Sequence, residues 1–395
     1  MGKQIFAKVS MHNEKIGDYI YLDNNATTCL SEGVKEIIKE SLGYFHNPSS
    51  KYRPAEAVKR KITAARNQVA KLIKADAEQI LFTSGATESN NTVIHSCVMA
   101  NYKNKKKNIV ISAVEHSAMI ETAKYYEKYH NTEVRYIKVD SMGRIDVKDV
   151  IKLVDKNTAL VSVMLANNEI GNIYPVKEIC KEVKKKNPNT VVHTDATQAI
   201  GKMDVDVKGL GVDYLSLSGH KFHAPKGVGA LYVKSFDNFV PFLYGGHQEE
   251  ERRAGTENVI SIIAMGEAAK EAMENPAYDK IRQLRDKLET ALKKKVLGLE
   301  ILGDTENRVC NTICALIKGK DGVTLGASIS GRLAFVSSGS ACNTKVAGPS
   351  HVMQAMGINE IPVRISLSKY TTEEEIESFI KVMLVAIAEY NRRNS

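Results

Sequence analysis

The stretch Asp213-Tyr-Leu-Ser-Leu-Ser-Gly-His-Lys-Phe-His-Ala-Pro-Lys-Gly-Val-Gly229 opens as a short β-like run and ends in a turn rich in Gly, His and Lys. A second apolar run, Ala230-Leu-Tyr-Val233, follows at once. Strand, polar turn, strand is an arrangement that can set a lysine on the floor of a pocket. A desolvated or cation-crowded lysine has a lowered pKa and attacks aldehydes, so Lys221, flanked by Ser218 and His220, is a candidate Schiff-base lysine. Read alone, the stretch is equally a surface turn with two solvated lysines, because Lys is usually exposed.

Outward from this stretch, apolar runs alternate with helical patterns. Ile80-Leu-Phe-Thr83, Asn108-Ile-Val-Ile-Ser112, Val134–Val139, Thr158–Met164 and Thr190–Thr194 read as strands, with helices expected from about 88, 117, 147 and 176. Such alternation predicts an α/β domain with a mostly parallel sheet and helices on both faces. Ligands then sit at the carboxyl ends of the strands. Beyond about residue 260 the pattern becomes helical through Met273 and again over Tyr278–Val296. Shorter strands and a last helix, Glu373–Tyr390, suggest a smaller α+β domain. The expected division is a large domain over 31–272 and a small one over 1–30 plus 273–395.

Composition narrows the class. The chain has 395 residues, 43% hydrophobic and 26% charged, which is ordinary for a water-soluble globular protein. No apolar run approaches the roughly 18 residues of a membrane span, and the first residues lack a signal-peptide core. A cytoplasmic location is the expectation. Net charge is +9, but the basic runs Lys103–Lys107 and Lys184–Lys186 have no interleaved aromatics and read as solvated lysines; direct nucleic-acid binding is not expected. The six cysteines form no Cys-x-x-Cys pair, so neither a disulfide framework nor a structural zinc site is expected. Cys310 and Cys314 read as small hydrophobes on one face of a strand spanning 308–317.

Several strand ends bear chemistry. Thr83-Ser-Gly-Ala-Thr-Glu88 exposes backbone N–H groups at a helix start, as an anion cradle or as a common N-cap turn. His193-Thr-Asp-Ala-Thr-Gln198 ends in a carboxylate, Asp195, which suits an N-cap or the partner of a pyridine nitrogen. Glu115-His116 offers an imidazole that could stack on a ring, and Asn167-Asn168-Glu169 ends another run. Cys342 lies within Val336–Pro349, a stretch of small residues, and stands outside any plausible core element.

Together these motifs resemble the cysteine desulfurases, pyridoxal-phosphate enzymes of the class V aminotransferases. The matching stretches are Tyr21-Leu-Asp-Asn-Asn-Ala-Thr-Thr28, Asn47-Pro-Ser-Ser50, Thr83–Asn90, Ala166-Asn-Asn-Glu-Ile-Gly171 and His193–Gln198. They continue with Ser218-Gly-His-Lys221, Arg252–Asn258, Ser337-Ser-Gly-Ser-Ala-Cys342 and Arg364-Ile-Ser-Leu367. The resemblance implies an aminotransferase-like (fold type I) α/β fold, a homodimer, L-cysteine as substrate, and pyridoxal 5'-phosphate as cofactor. It implies that Lys221 bonds the cofactor, and that Ala86, Thr87, Ser218 and His220 hold its phosphate with Thr256 of the second subunit. His116 would stack on the ring, Asp195 would pair with its nitrogen and Gln198 with its ring oxygen. Asn168 and Arg364 would hold the substrate carboxylate. Cys342 would take the sulfur as a persulfide and pass it to an acceptor protein for iron–sulfur clusters, tRNA or DNA thiolation, the long arm matching one branch of the family. A selenocysteine lyase on the same scaffold and a non-catalytic sulfur-transfer scaffold are the alternatives. Departures from the family pattern are His46, Tyr52, His247, Cys310, Cys314 and Lys369; residues 1–18 match no part of it.

Overall fold

In a computed structural model of the chain, residues 19–101, 108–338 and 348–394 are described. Twelve strands are found among them. They are β1 (Ile20–Tyr21), β2 (Ile80–Thr83), β3 (Asn108–Ser112), β4 (Glu133–Ile137), β5 (Thr158–Ser162) and β6 (Val191–Asp195), then β7 (Tyr214–Ser218), β8 (Gly229–Val233), β9 (Leu299–Ile301), β10 (Thr312–Ile317), β11 (Ala334–Phe335) and β12 (Val363–Ser366).

Seven of them make the central sheet, in the order β2-β8-β7-β6-β5-β3-β4. All pairings are parallel except those of β8, which runs against both β2 and β7. Every residue of β2, β3, β5, β7 and β8 is buried, as both-face coverage requires. The period-2 alternation shows in the packing. Ile109 and Ile111 join one apolar cluster while Val110 joins the other; Leu81 and Leu160 likewise point away from Phe82 and Val161. The helices Ala86–Ala100 and Ser117–His130 supply one cluster. Arg53–Leu72, Val176–Lys186 and Val259–Glu274 supply the other. The remaining strands form an antiparallel sheet, β12-β10-β9, and a parallel pair, β1-β11. These pack with the helices Tyr278–Lys295 and Glu373–Asn394 around Leu22, Ile313 and Phe379.

The stretch quoted first folds as read: β7, a single 3-10 turn over Gly219–Lys221, then β8. One expectation is corrected. The strand begins at Thr312, not near Arg308, so Cys310 precedes it. Cys310 packs in the small core and Cys314 in the large one, rather than on one face. The chain turns there because the Asn311 amide donates to Asn25 Oδ1 and to the Leu367 carbonyl, both at 3.0 Å.

Two glycines bring the site together. Gly85 starts the helix Ala86–Ala100 at φ +152°, a region that favours glycine. A Cβ on Gly229 would lie 2.6 Å from Gly85 Cα and from the Leu217 carbonyl oxygen. The helix start therefore rests directly on the β7–β8 ladder, and backbone cannot yield there as a side chain can. Gly229→Ala is expected to cost about 1–3 kcal/mol, read as a lower urea midpoint; unchanged stability would show that the two backbones can part freely.

Candidate active site

The carboxyl ends of β2, β3, β5, β6 and β7 open into one cavity of about 360 Å³. It is lined by Ala86, Thr87, His116, Asn168, Asp195, Gln198, Ser218, His220, Lys221 and Arg364, which is every described residue assigned a site role except Thr256. Asn25, Ala26, Met164, Thr197 and Lys226 complete most of the wall. Cys342 lies outside the described residues. Thr256 lines a neighbouring cavity of about 190 Å³, with Ser84 and Gly227 between the two.

At one end, the helix Ala86–Ala100 points its first N–H groups into the cavity, beside Ser218 and His220. Four orphan donors and the positive end of the helix dipole favour an anion there. Ser84 N–H is taken by Glu88 Oε2 at 2.8 Å, and Arg253 pairs with that carboxylate at 2.9 Å. The Glu88 charge is thereby compensated before it can repel a bound anion. Burial, then the Lys221, Lys226 and Lys202 charges, bring the His220 imidazole down to about 4. It is neutral at pH 7, with Nδ1 against Thr27 Oγ1 at 3.1 Å.

On the floor, Asp195 ends β6 with 3% of its surface exposed. Its Oδ2 accepts from Asn90 Nδ2 at 2.7 Å and its Oδ1 from the Thr197 N–H at 2.9 Å. Two donors fix the plane of this carboxylate and the direction in which it faces the cavity. Behind it, His193 bridges Ser162 and Ser216, and burial brings it down to about 4. His116 is the N-cap of the helix Ser117–His130: its Nδ1 accepts from Ala118 N–H at 3.1 Å, which puts the ring proton on Nε2 and fixes the ring plane. Next to it, Glu115 is buried, takes Ser112 Oγ and Met164 N–H on Oε1, and is pushed up to about 8 by burial.

Lys221 Nζ donates to the backbone oxygens of Asn25 (2.6 Å) and Ala26 (2.7 Å). Across the cavity, Arg364 is 2% exposed, donates to the Asn168 carbonyl at 3.0 Å and pairs with Asp23 at 2.7 Å. Its buried Nε has no hydrogen-bond partner among the described residues, and neither has the Thr197 hydroxyl. Unmet buried donors are expensive, and a guanidinium on a cavity wall with N–H groups beyond the two in use suits a carboxylate ligand.

These residues fit pyridoxal phosphate. An anion cradle, a ring-nitrogen partner and a lysine stand around a single cavity of the right size, and the donor set needs no metal. Among the described residues no His/Cys/Asp/Glu group could hold one. The departures from the family pattern (His46, Tyr52, His247, Cys310, Cys314 and Lys369) all lie off this cavity. His247, for instance, is exposed and pairs with Glu251. Two contributors had no role assigned from the sequence. Asn25 sits inside a quoted stretch without a role, and Lys202 looks like any lysine after a turn until the fold buries it.

Comparison with known proteins agrees with this geometry. The family description Aminotransferase class-V matches residues 20–379. A cysteine desulfurase of Nostoc sp. is 41% identical over 371 residues, 92% of each chain. The cysteine desulfurase NifS of Azotobacter vinelandii is 39% identical over 381 residues, 94% of this chain and 93% of its own. A solved structure of a NifS-like protein superposes with a TM-score of 0.87 at 37% identity, covering 94% of this chain and 99% of its own.

The buried histidines set a pH dependence. Burial brings His193, His220 and His223 down to about 4 in the fold, from the ordinary 6.5. Between those values the unfolded chain binds more protons, so stability falls as pH drops from about 6.5 toward 4. Glu115, raised to about 8, opposes this by one proton, since folded Glu115 holds a proton that the unfolded chain releases above about 4.3. Burial lowers His95 as well, so the histidines outnumber the one opposing carboxyl and unfolding takes up protons in this range. The urea midpoint is expected to fall between pH 6.5 and 4.5; a flat midpoint would mean these imidazoles are charged in the fold.

Proposed function

We propose a division of labour for this chain, which belongs to aminotransferase class V and within it to the cysteine desulfurases. Lys221 handles the carbon chemistry of L-cysteine, and Cys342 takes the sulfur. The chain is a pyridoxal-phosphate-dependent desulfurase, yielding L-alanine and a protein-bound persulfide. The observation that supports the residue roles is the convergence of Lys221, Asp195 and a helix N-terminus on one cavity.

When bound, the cofactor supplies an electron sink in its protonated pyridine ring, which makes loss of the substrate α-proton accessible. Asp195, held by Asn90 and Thr197, would pair with the ring nitrogen and favour its protonated form. The N-terminus of the helix Ala86–Ala100, with Thr87, Ser218 and neutral His220, holds the phosphate end. His116 would cover the ring face, and Gln198 would meet the ring oxygen. Arg364 and Asn168 would hold the substrate carboxylate, on the cavity wall they share with Lys221. Lys221 Nζ, once released from the cofactor, is the base that removes this proton; Asn25 and Ala26 carbonyls hold it in place. Cys342 thiolate then attacks the substrate sulfur. The new S–S bond forms as Cβ–S breaks, the electron pair stays on carbon, and protonation there, with a proton returned to Cα by Lys221, leaves alanine.

Thr256 reaches the phosphate site of a second subunit, which makes the working form a homodimer. The persulfide passes to an acceptor protein of cluster assembly or thiolation. No described helix is long and apolar enough to cross a membrane, and the cytoplasm is the proposed compartment. Lys221→Ala is expected to abolish both the visible absorbance of the loaded enzyme and turnover. A variant that kept colour and activity would sink the assignment. Cys342→Ser is expected to keep the absorbance and form no persulfide, read by alkylation and mass spectrometry; undiminished persulfide would move the sulfur-bearing role elsewhere.

A further inference from the structure

Lys202 is 6% exposed and, among the described residues, pairs with no carboxylate. A buried lysine without an acid partner is rare, and the cost of keeping one calls for a reason. It lies one turn beyond Gln198, and its Nζ donates to the Gln198 side-chain oxygen and, at 3.0 Å, to Asn25 Oδ1. Gln198 Nε2 in turn donates to the Asn25 backbone oxygen at 3.0 Å. That same oxygen accepts from Lys221 at 2.6 Å. Lys202, Gln198 and Asn25 therefore close a ring of hydrogen bonds, with the Schiff-base lysine attached to it.

This ring admits one orientation of the Gln198 amide. Reversed, the amide would set its NH2 against the Lys202 amine and its oxygen against the Asn25 carbonyl, two repulsive contacts in a buried place. In the orientation seen, one Nε2 hydrogen is used on Asn25, and the second remains for a ligand in the cavity that Gln198 lines. A ring oxygen bearing negative charge needs a donor at that position, not an acceptor.

We propose that Lys202 is a positioning residue for the desulfurase reaction, fixing the Gln198 amide with its donor end toward the cofactor's ring oxygen. The proposal rests on the roles given above to Gln198 and Lys221. Without Lys202 the buried Gln198 oxygen loses its donor, and the amide is held only by its bond to the Asn25 carbonyl. The ring oxygen then loses a donor fixed in place.

The charged groups around Lys202 are Lys221 and Arg364, with the Cys310 thiol on its other side. His223 and Lys369 share with it a cavity of about 40 Å³ behind Lys221. Burial first, then the Lys221 charge, hold Lys202 well below the usual lysine range. Its donation to Gln198 and Asn25 needs only two N–H groups and persists in either protonation state.

The test is a pH titration of the visible band of the loaded enzyme without substrate, since that band titrates with the Lys221 nitrogen bonded to the cofactor. A donor to the ring oxygen stabilises its anionic form and so favours the deprotonated link. Lys202→Met is therefore expected to raise the midpoint by about one pH unit, with kcat lowered about tenfold. Lys202→Arg, which keeps the donors, is expected to leave the midpoint near that of the parent. If Lys202→Met does not fold, Lys202→Leu, which likewise carries no donor, serves in its place with the same expected rise. A folded, fully loaded Met or Leu variant with an unmoved midpoint overturns the proposal. So does an Arg variant displaced as far as the Met variant. An unmoved midpoint strikes this inference alone, whereas a band that survives Lys221→Ala strikes the site assignment beneath it.

Discussion

A single buried side chain, Asn25, ties the working parts of this enzyme to one another. Its N–H donates to Ser366 Oγ, its amide NH2 to Thr312 Oγ1 and the Asn168 carbonyl, and its amide oxygen accepts from Lys202 and Asn311. Its backbone oxygen accepts from Gln198 and Lys221. The partners come from the central sheet's strand ends and from β10 and β12 of the smaller sheet. Every donor and acceptor of the residue is in use, at 2% exposure. A buried amide so used is stable only in one geometry, because each lost bond leaves an orphan costing about 1–3 kcal/mol. The Lys221 amine, the Gln198 amide and the strand of Arg364 are thus referred to a common point.

The electrostatics follow a similar economy. Basic side chains gather at this cavity: Lys221, Lys226 and Arg364 line it, with Lys202 beside them. Asp23 balances Arg364, while Asp195 faces the floor between amide donors that hold its charge in one direction. His193 and His220, driven neutral by burial, act as hydrogen-bonding spacers and add no further positive charge. A cavity of this kind favours a ligand that brings its own negative charges, as a phosphate and a substrate carboxylate do.

Much of the fold was legible in the chain because both of its periodicities are strong. The runs at β2, β3 and β5–β8 are apolar and short, the helical patterns between them are long, and the alternation leaves few topologies open. Boundaries were off by a residue or two where a strand frays. The reading of residues 308–317 as one strand failed for a definite reason. The chain turns just before Thr312, where the Asn311 side chain bonds to Asn25 and Leu367, partners that lie far away in sequence.

The sequence by itself determined the fold class, the family, and which lysine, aspartate and histidine stand at strand ends, because those depend on local pattern and on motifs that keep their order. Only the tertiary structure decided that Asn25 is the hub, that Lys202 is buried without an acid partner, and that Thr256 faces a separate cavity. The physical reason is the same in each case. Burial and hydrogen-bond partnership between residues more than a hundred positions apart are set by how the layers pack, and no periodicity or local spacing encodes them.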